Sequence, residues 1–227
     1  MEKFQRPAIA ASVTDMELEL LGPEEVDAID LIELRVDHFK DLSDDYILSV
    51  FKRAEGMRKP VIATIRSHKE GGERFIDDDR RISIIGLIAD HADLVDVEAR
   101  EPIFDEARCI IKDKGKVLVG SFHDFQGTPS YNELTVFVDG VYERGADVVK
   151  IAVFARDMRD IQTMTRLLLD YEKRGIVTIC MGKRGLASRV FFPMIGSLFT
   201  FSAVGAQKAP GQVSVVELRG YMNTLSR

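Results

Sequence analysis

Short apolar, β-branched runs punctuate the chain at 8–13 (AIAASV), 31–36 (LIELRV), 61–66 (VIATIR), 93–98 (DLVDVE), 117–122 (VLVGSF), 147–153 (DVVKIAV), 176–181 (IVTICM) and 198–204 (LFTFSAV). Longer stretches with helical periodicity separate them, the cadence of strand–crossover–helix units. Ser43 or Asp44 caps a predicted helix through Tyr46, Ile47, Val50 and Phe51. Asp77–Asp79 place acid ahead of RRISIIGLIADH, and Ser130 with Glu133 has the spacing of a capping box. Asp157 opens a helix that Gly175 ends, and a last helix runs from about Ser214 to Leu225. Alternating β and α units predict a parallel sheet. Eight of them in 227 residues fit a single (β/α)8 barrel domain, 1–227, with its active site at the C-terminal rim of the strands. An open doubly wound sheet is the rival, and the even cadence favours closure.

Strand side chains alternate between two faces, and in a barrel one face looks into the lumen. Sorted by parity, each run has a mixed set that contrasts with an apolar one. The mixed sets are Ala8/Ala10/Ser12, Leu31/Glu33/Arg35, Ile62/Thr64/Arg66, Leu94/Asp96/Glu98, Val117/Val119/Ser121/His123, Val148/Lys150/Ala152, Val177/Ile179/Met181 and Leu198/Thr200/Ser202. In most of them polarity rises toward the C-terminal end. Inward polar groups must each be paired or solvated, so a purely structural barrel has no reason to collect them. A barrel enzyme does, because its active site sits there.

Composition narrows the chemistry. The net charge of −6, with signs mixed, argues against non-specific nucleic-acid binding. No apolar run approaches the ~20 residues of a membrane span, and no signal-peptide core opens the chain, so the mature protein is expected to begin here. Cys109 and Cys180 lie in apolar stretches and form neither a disulfide framework nor a Cys-rich zinc site; a reducing cytoplasm is the expected home. No histidine pair has helical metal-ligand spacing, and no metal is expected.

Lys150, flanked by apolar residues in DVVKIAVF, has two readings. It is a strand-end lysine paired with a carboxylate such as Glu98, or an amine nucleophile that the cations Arg35 and Arg66 help to deprotonate. His123, one strand earlier, is either tied to the backbone or a proton-transfer group beside that amine. His38, His68 and His91 read as surface residues. Glu33 and Arg35 form a candidate lumen ion pair. Gly71-Gly72 after Arg66 suggests a tight rim loop or a plain solvated turn. Residues 182–189, with Lys183, Arg184 and Arg189, can cradle a phosphate or carboxylate. The aperiodic 205–212 segment reads as a lid beyond the last strand.

The ordered set Glu33-Leu34-Arg35-Val36-Asp37-His38, Thr64-Ile65-Arg66 with Glu70-Gly71-Gly72-Glu73, His123-Asp124-Phe125, 146–152 around Lys150, Met181/Gly185/Ser188-Arg189 and Ala209-Pro210-Gly211-Gln212 resembles the type I 3-dehydroquinate dehydratases. The resemblance implies a (β/α)8 barrel, a homodimer, and no metal or organic cofactor. It also implies dehydration of 3-dehydroquinate in the shikimate pathway to aromatic amino acids. Lys150 would form an imine with the C3 ketone. His123 would take the C2 proton and return it to the departing C1 hydroxyl, with Glu70 orienting it. Glu33, Arg35 and Arg66 would hold the ring hydroxyls and reacting centre. Arg189 would bind the carboxylate, Gln212 would cover the ligand, and Ser12 would touch it. One position departs: Lys208 stands where the family often has serine. Rival functions are a class I aldolase, which shares the lysine but cleaves a carbon–carbon bond, and a non-catalytic barrel that holds an anion at Arg66 and Arg189.

Overall fold

The computed structural model describes residues 7–205 and 209–225. Eight strands match the expected runs: β1 Ala8–Val13, β2 Leu31–Arg35, β3 Val61–Thr64, β4 Leu94–Glu98, β5 Val117–Asp124, β6 Val148–Phe154, β7 Ile176–Met181 and β8 Phe199–Ala203. Between and after them lie α1 Asp15–Leu20, α2 Pro23–Ala28, α3 Asp44–Gly56, α4 Asp78–Ile88, α5 Phe104–Asp113, α6 Tyr131–Glu143, α7 Met158–Tyr171, α8 Ser188–Met194 and α9 Val215–Leu225. All strand pairings are parallel, in the order β7-β6-β5-β4-β3-β2-β1-β8. The first strand pairs with both the second and the eighth, which a doubly wound sheet does not do.

Helix starts reflect local chemistry. Ser130 and Glu133 cap each other reciprocally at α6, and Asp157 with Asp160 does the same at α7. Asp77 accepts the Arg80 N–H at the head of α4. Ser43 stands at the head of α3 but gives its hydroxyl to Asp41 instead. Two capping signals pass unnoticed in the sequence because the helices they start are only six residues long: Thr14 with Glu17 at α1, and Glu25 folding back on Gly22 at α2.

The barrel is nearly closed. Between β7 and β8 the ladder is replaced by a few bonds: Leu198 N–H donates to the Ile176 carbonyl at 2.9 Å, and Thr178 N–H donates to Ser197 Oγ at 3.2 Å. The same fully buried hydroxyl donates to the Phe199 carbonyl at 3.2 Å. One apolar cluster fills the space between strands and helices, and a second fills the lower lumen, with Ala8, Ala10, Leu31, Ile62, Val119 and Val177 among its members.

Register supports the parity reading of seven strands and corrects the eighth. Ala8 opposes Phe199 and Ala10 opposes Phe201, so these two rings face the lumen. Thr200 and Ser202 face the helices, and Ser202 is not a rim residue. Both parities of the 198–204 run are rich in apolar atoms, so alternation alone points the wrong way there. The histidines also need correction. His68 is exposed, but His38 is half-buried beside Asp37 and His91 is half-buried against Glu55. Cys109 lies exposed on α5, whereas Cys180 is buried. Of the 205–212 segment, Lys208 lies outside the described residues. Its end is packed down: Gly182 N–H and Arg189 both donate to the Pro210 carbonyl, and Gln212 is buried.

Ser197→Ala is expected to lower unfolding free energy by about 1–3 kcal/mol, because it orphans the buried Thr178 N–H at the seam. Urea denaturation measures this, and an unchanged midpoint would show that the seam does not depend on that hydroxyl.

Candidate active site

Each expected site residue occupies a rim position for a local reason. In register, Ser12 opposes Glu33, Arg35 opposes Thr64, Ser121 opposes Lys150, and His123 opposes Ala152. Parallel partners share a face, so these side chains turn inward together. Glu70 comes from a single 3-10 turn, His68–Glu70, anchored by Ser67. The turn ends at Gly71 with φ of 84°. A Cβ on Gly72 would stand 2.3 Å from the Arg66 carbonyl oxygen, so the loop can close back onto the strand only with glycine there. Arg189 enters from the first turn of α8.

One cavity at the C-terminal end of the barrel collects all of them: Ser12, Glu33, Arg35, Arg66, Glu70, His123, Lys150, Arg189 and Gln212. Phe125, Ala152, Ile179, Met181, Phe201 and Ala209 supply its apolar wall. The last group is not evident from charge patterning, because apolar positions give no sign of facing a ligand rather than a core.

Lys150 Nζ donates to Asp96 Oδ2 at 2.8 Å and lies 3.6 Å from Glu33 Oε1. It also sits 4.0 Å from the centre of the Phe201 ring. Its partner is therefore Asp96 and not Glu98, whose carboxylate is taken by Arg66 and Arg81. Glu33 does not pair with Arg35. It accepts from Thr64 Oγ1 at 2.9 Å, while Arg35 makes a two-pronged contact with Asp37 at 2.8 and 2.7 Å. Arg66 binds Glu98 at 2.6 Å and Asp96 at 3.0 Å. Burial opposes the charge on Asp96, but Arg66 and Lys150 outweigh it and hold the carboxyl below its ordinary range. Burial likewise opposes the charge on Arg66, and Asp96 and Glu98 overcome it.

His123 and Glu70 form a separate pair. The Glu70 Oε2 oxygen accepts the His123 backbone N–H at 2.8 Å and lies 3.0 Å from Nδ1. Burial, then the cations Arg66 and Lys150, hold the imidazole well below its ordinary pKa, so it is neutral at pH 7. Burial pushes Glu70 up to about 7, with Glu98 and Asp96 adding to it against Arg66. Both shifts favour uncharged forms, so the contact is a hydrogen bond more than an ion pair. With Nδ1–H donating to Glu70, the lone pair is on Nε2, which makes that nitrogen a base.

Arg189 is different again. It is 2% exposed, yet among the described residues its hydrogen bonds go only to the carbonyls of Phe201 and Pro210, each at 3.1 Å. Burial, with no carboxylate beside it among the described residues, lowers its pKa to about 10. Its Nε and the Ser12 hydroxyl are buried with no hydrogen-bond partner among the described residues. A buried cation and an unmatched hydroxyl at one cavity fit a bound anion carrying further polar groups.

A family model described as Type I 3-dehydroquinase matches residues 9–227. The chain belongs to the type I 3-dehydroquinase family. Among relatives, a 3-dehydroquinate dehydratase of Klebsiella pneumoniae is 36% identical over 209 residues, 87% of this chain and 83% of that one. One from Thermodesulfovibrio yellowstonii is 31% identical over 213 residues, 93% and 92% of the two chains. Among solved structures, the 3-dehydroquinate dehydratase of Geobacillus kaustophilus superposes with a TM-score of 0.89 at 27% identity, covering 98% of this chain and 92% of that one. The type I enzyme of Clostridium difficile, solved with covalent modified comenic acid, gives 0.86 at 30% identity, covering 97% and 92%. Membership makes this barrel a dehydratase fold acting on a small molecule. Among the described residues, no helix is long and apolar enough to cross a membrane.

The Glu70 shift has a measurable consequence. An unfolded Glu70 carboxyl ionises near its ordinary 4.5, whereas the folded one holds its proton to about 7. Between those values the folded state binds more protons, so its stability falls as pH rises. Glu70→Gln removes that loss. Its stability relative to the parent should therefore climb from pH 4.5 to 7 and then level off in urea melts. A pH-independent difference would contradict the effect of burial.

Proposed function

We propose that the chain dehydrates 3-dehydroquinate to 3-dehydroshikimate through an imine on Lys150, with His123 as the general acid and base. The observation that carries this reading is that the Lys150 amine and the His123 imidazole, on adjacent strands, line one cavity that also holds the Arg189 guanidinium, which has no carboxylate partner among the described residues.

The chemistry explains the residue types. The Lys150 ammonium loses its proton to solvent, and the free amine adds to the C3 ketone; loss of water then gives an iminium. A proton α to a ketone is only weakly acidic, but the iminium takes up the electron pair left when that proton departs. A neutral imidazole is then a sufficient base. His123 accepts the C2 proton at Nε2 and becomes an imidazolium, with Nδ1–H still hydrogen-bonded to Glu70. It returns the proton to the C1 hydroxyl, which leaves as water as the enamine pair forms the C1–C2 double bond. Hydrolysis of the conjugated iminium releases the product and regenerates the amine. Asp96 and Glu33 hold the amine in place before attack. Arg35 and Arg66 present donors to ring oxygens, Arg189 binds the substrate carboxylate, Ser12 offers its hydroxyl, and Gln212 covers the ligand. The relative from Clostridium difficile is described with covalent modified comenic acid, and a nucleophile in this cavity wall is in keeping with it. The same reading places the protein in the shikimate pathway of aromatic amino acid biosynthesis, as a cytoplasmic homodimer needing no cofactor.

Incubation with 3-dehydroquinate should produce the ultraviolet absorbance of a conjugated enone acid. Lys150→Ala should abolish that signal while substrate binding remains measurable, and normal turnover would end the imine proposal. His123→Ala should stall after imine formation, so that intact mass spectrometry finds substrate on the protein. Absence of any adduct would remove its proton role. Arg189→Gln should raise KM at least ten-fold with a smaller effect on kcat; the reverse pattern would contradict a carboxylate-binding role.

A further inference from the structure

The face that α4 turns to the core is built from positions 81, 84, 85 and 88. Three are isoleucine and the fourth is Arg81, only 3% exposed. Arginine is almost never buried this deeply without a partner. Arg81 is not part of the cavity wall. It comes up behind it: Nε and Nη2 donate to the Ile65 carbonyl at 3.3 and 3.2 Å, and Nη2 also pairs with Glu98 Oε2.

Glu98 is fully buried and divides its oxygens. Oε1 accepts from Arg66 at 2.6 Å and from the Ser67 N–H at 2.9 Å, and Oε2 belongs to Arg81. Arg66 in turn holds Asp96, which holds Lys150. Charge therefore alternates outward from Lys150 through Asp96, Arg66 and Glu98 to Arg81. We propose that Arg81 is a positioning residue for the reaction: by saturating the outer oxygen of Glu98 it keeps Arg66 on Asp96, and so fixes the carboxylate environment of Lys150 from outside the cavity. This rests on the reading of Lys150 as the nucleophile.

Loss of Arg81 leaves Glu98 Oε2 buried without a donor among the described residues while Oε1 keeps Arg66 and Ser67, and a charged oxygen stripped of its partner costs more than a missing neutral hydrogen bond. The nearest remaining cation is Arg66. Drawn into a two-pronged contact with Glu98, it releases Asp96 to bind the Lys150 ammonium more tightly. The other groups facing Lys150 are Glu33 from β2 and His123 from β5, and their own bonds go to Thr64 and Glu70 rather than to Arg81 or Glu98.

The test is the pH dependence of kcat/KM for 3-dehydroquinate, with thermal melting alongside. In Arg81→Met the acid limb should move up by about one pH unit, so that kcat/KM on that limb falls about ten-fold. In Arg81→Met/Glu98→Gln, which leaves no unpaired buried charge, the limb should return toward the parent value. Arg81→Lys keeps the charge and should keep the limb. A lower Tm in Arg81→Met with an unmoved limb would reduce Arg81 to a structural role and overturn the proposal. If Arg81→Met does not fold, a limb displaced in the double variant, or displaced in Arg81→Lys, overturns it equally. A parent protein that fails to dehydrate the substrate would instead defeat the proposed function itself, a separate result.

Discussion

The Lys150–Asp96 contact sets the terms for the rest of the site. An ammonium in a barrel lumen is tolerable only against a carboxylate, and the carboxylate then needs its own partner. Asp96 takes Arg66, Arg66 takes Glu98, and the sequence of pairs continues until it leaves the lumen. Arg35 solves the same problem locally through Asp37. Arg189 stands apart, its guanidinium bonded only to carbonyls among the described residues. In such a balanced network, a cation left without a carboxylate among those residues suits an anion from outside.

The fold makes this arrangement reachable. Parallel register places partners on one face, so a few inward positions per strand bring residues distant in sequence to one level. Lys150 and Asp96 are 54 positions apart and Glu33 lies further still, yet all meet at the rim. Below them the lumen is packed with small and branched side chains and two phenylalanines, which keeps water from competing for the pairs above. The His123–Glu70 pair depends instead on a loop whose return is permitted by Gly71 and Gly72.

Much of this is legible in the chain, for identifiable reasons. Strand runs are short, β-branched and evenly spaced, and the rise in polarity toward their ends comes directly from period-two alternation. The strand-borne site residues share a cavity because eight-stranded closure leaves inward rim side chains little other place to go, whereas Glu70, Arg189 and Gln212 reach it from a 3-10 turn, a helix and a loop beyond the strand ends. Pairing is less legible. Alternation says which residues face inward but not which neighbours they meet, so it suggests Arg35 for Glu33 and Glu98 for Lys150, and both partners differ in the structure. The β8 parity fails because Phe199 and Phe201 are as plausible behind a strand as in front of it. Arg81 does leave a trace, a charge in the apolar stripe of α4, but a helix stripe interrupted once by arginine more often marks an edge than a link to a distant site.

The most direct test of the Lys150 nucleophile is chemical. The protein is mixed with 3-dehydroquinate, reduced with borohydride, digested and mapped by mass spectrometry. A stable secondary amine at Lys150 and nowhere else is the expected result. Steady dehydration with no reducible adduct, or an adduct on a different lysine, would contradict it.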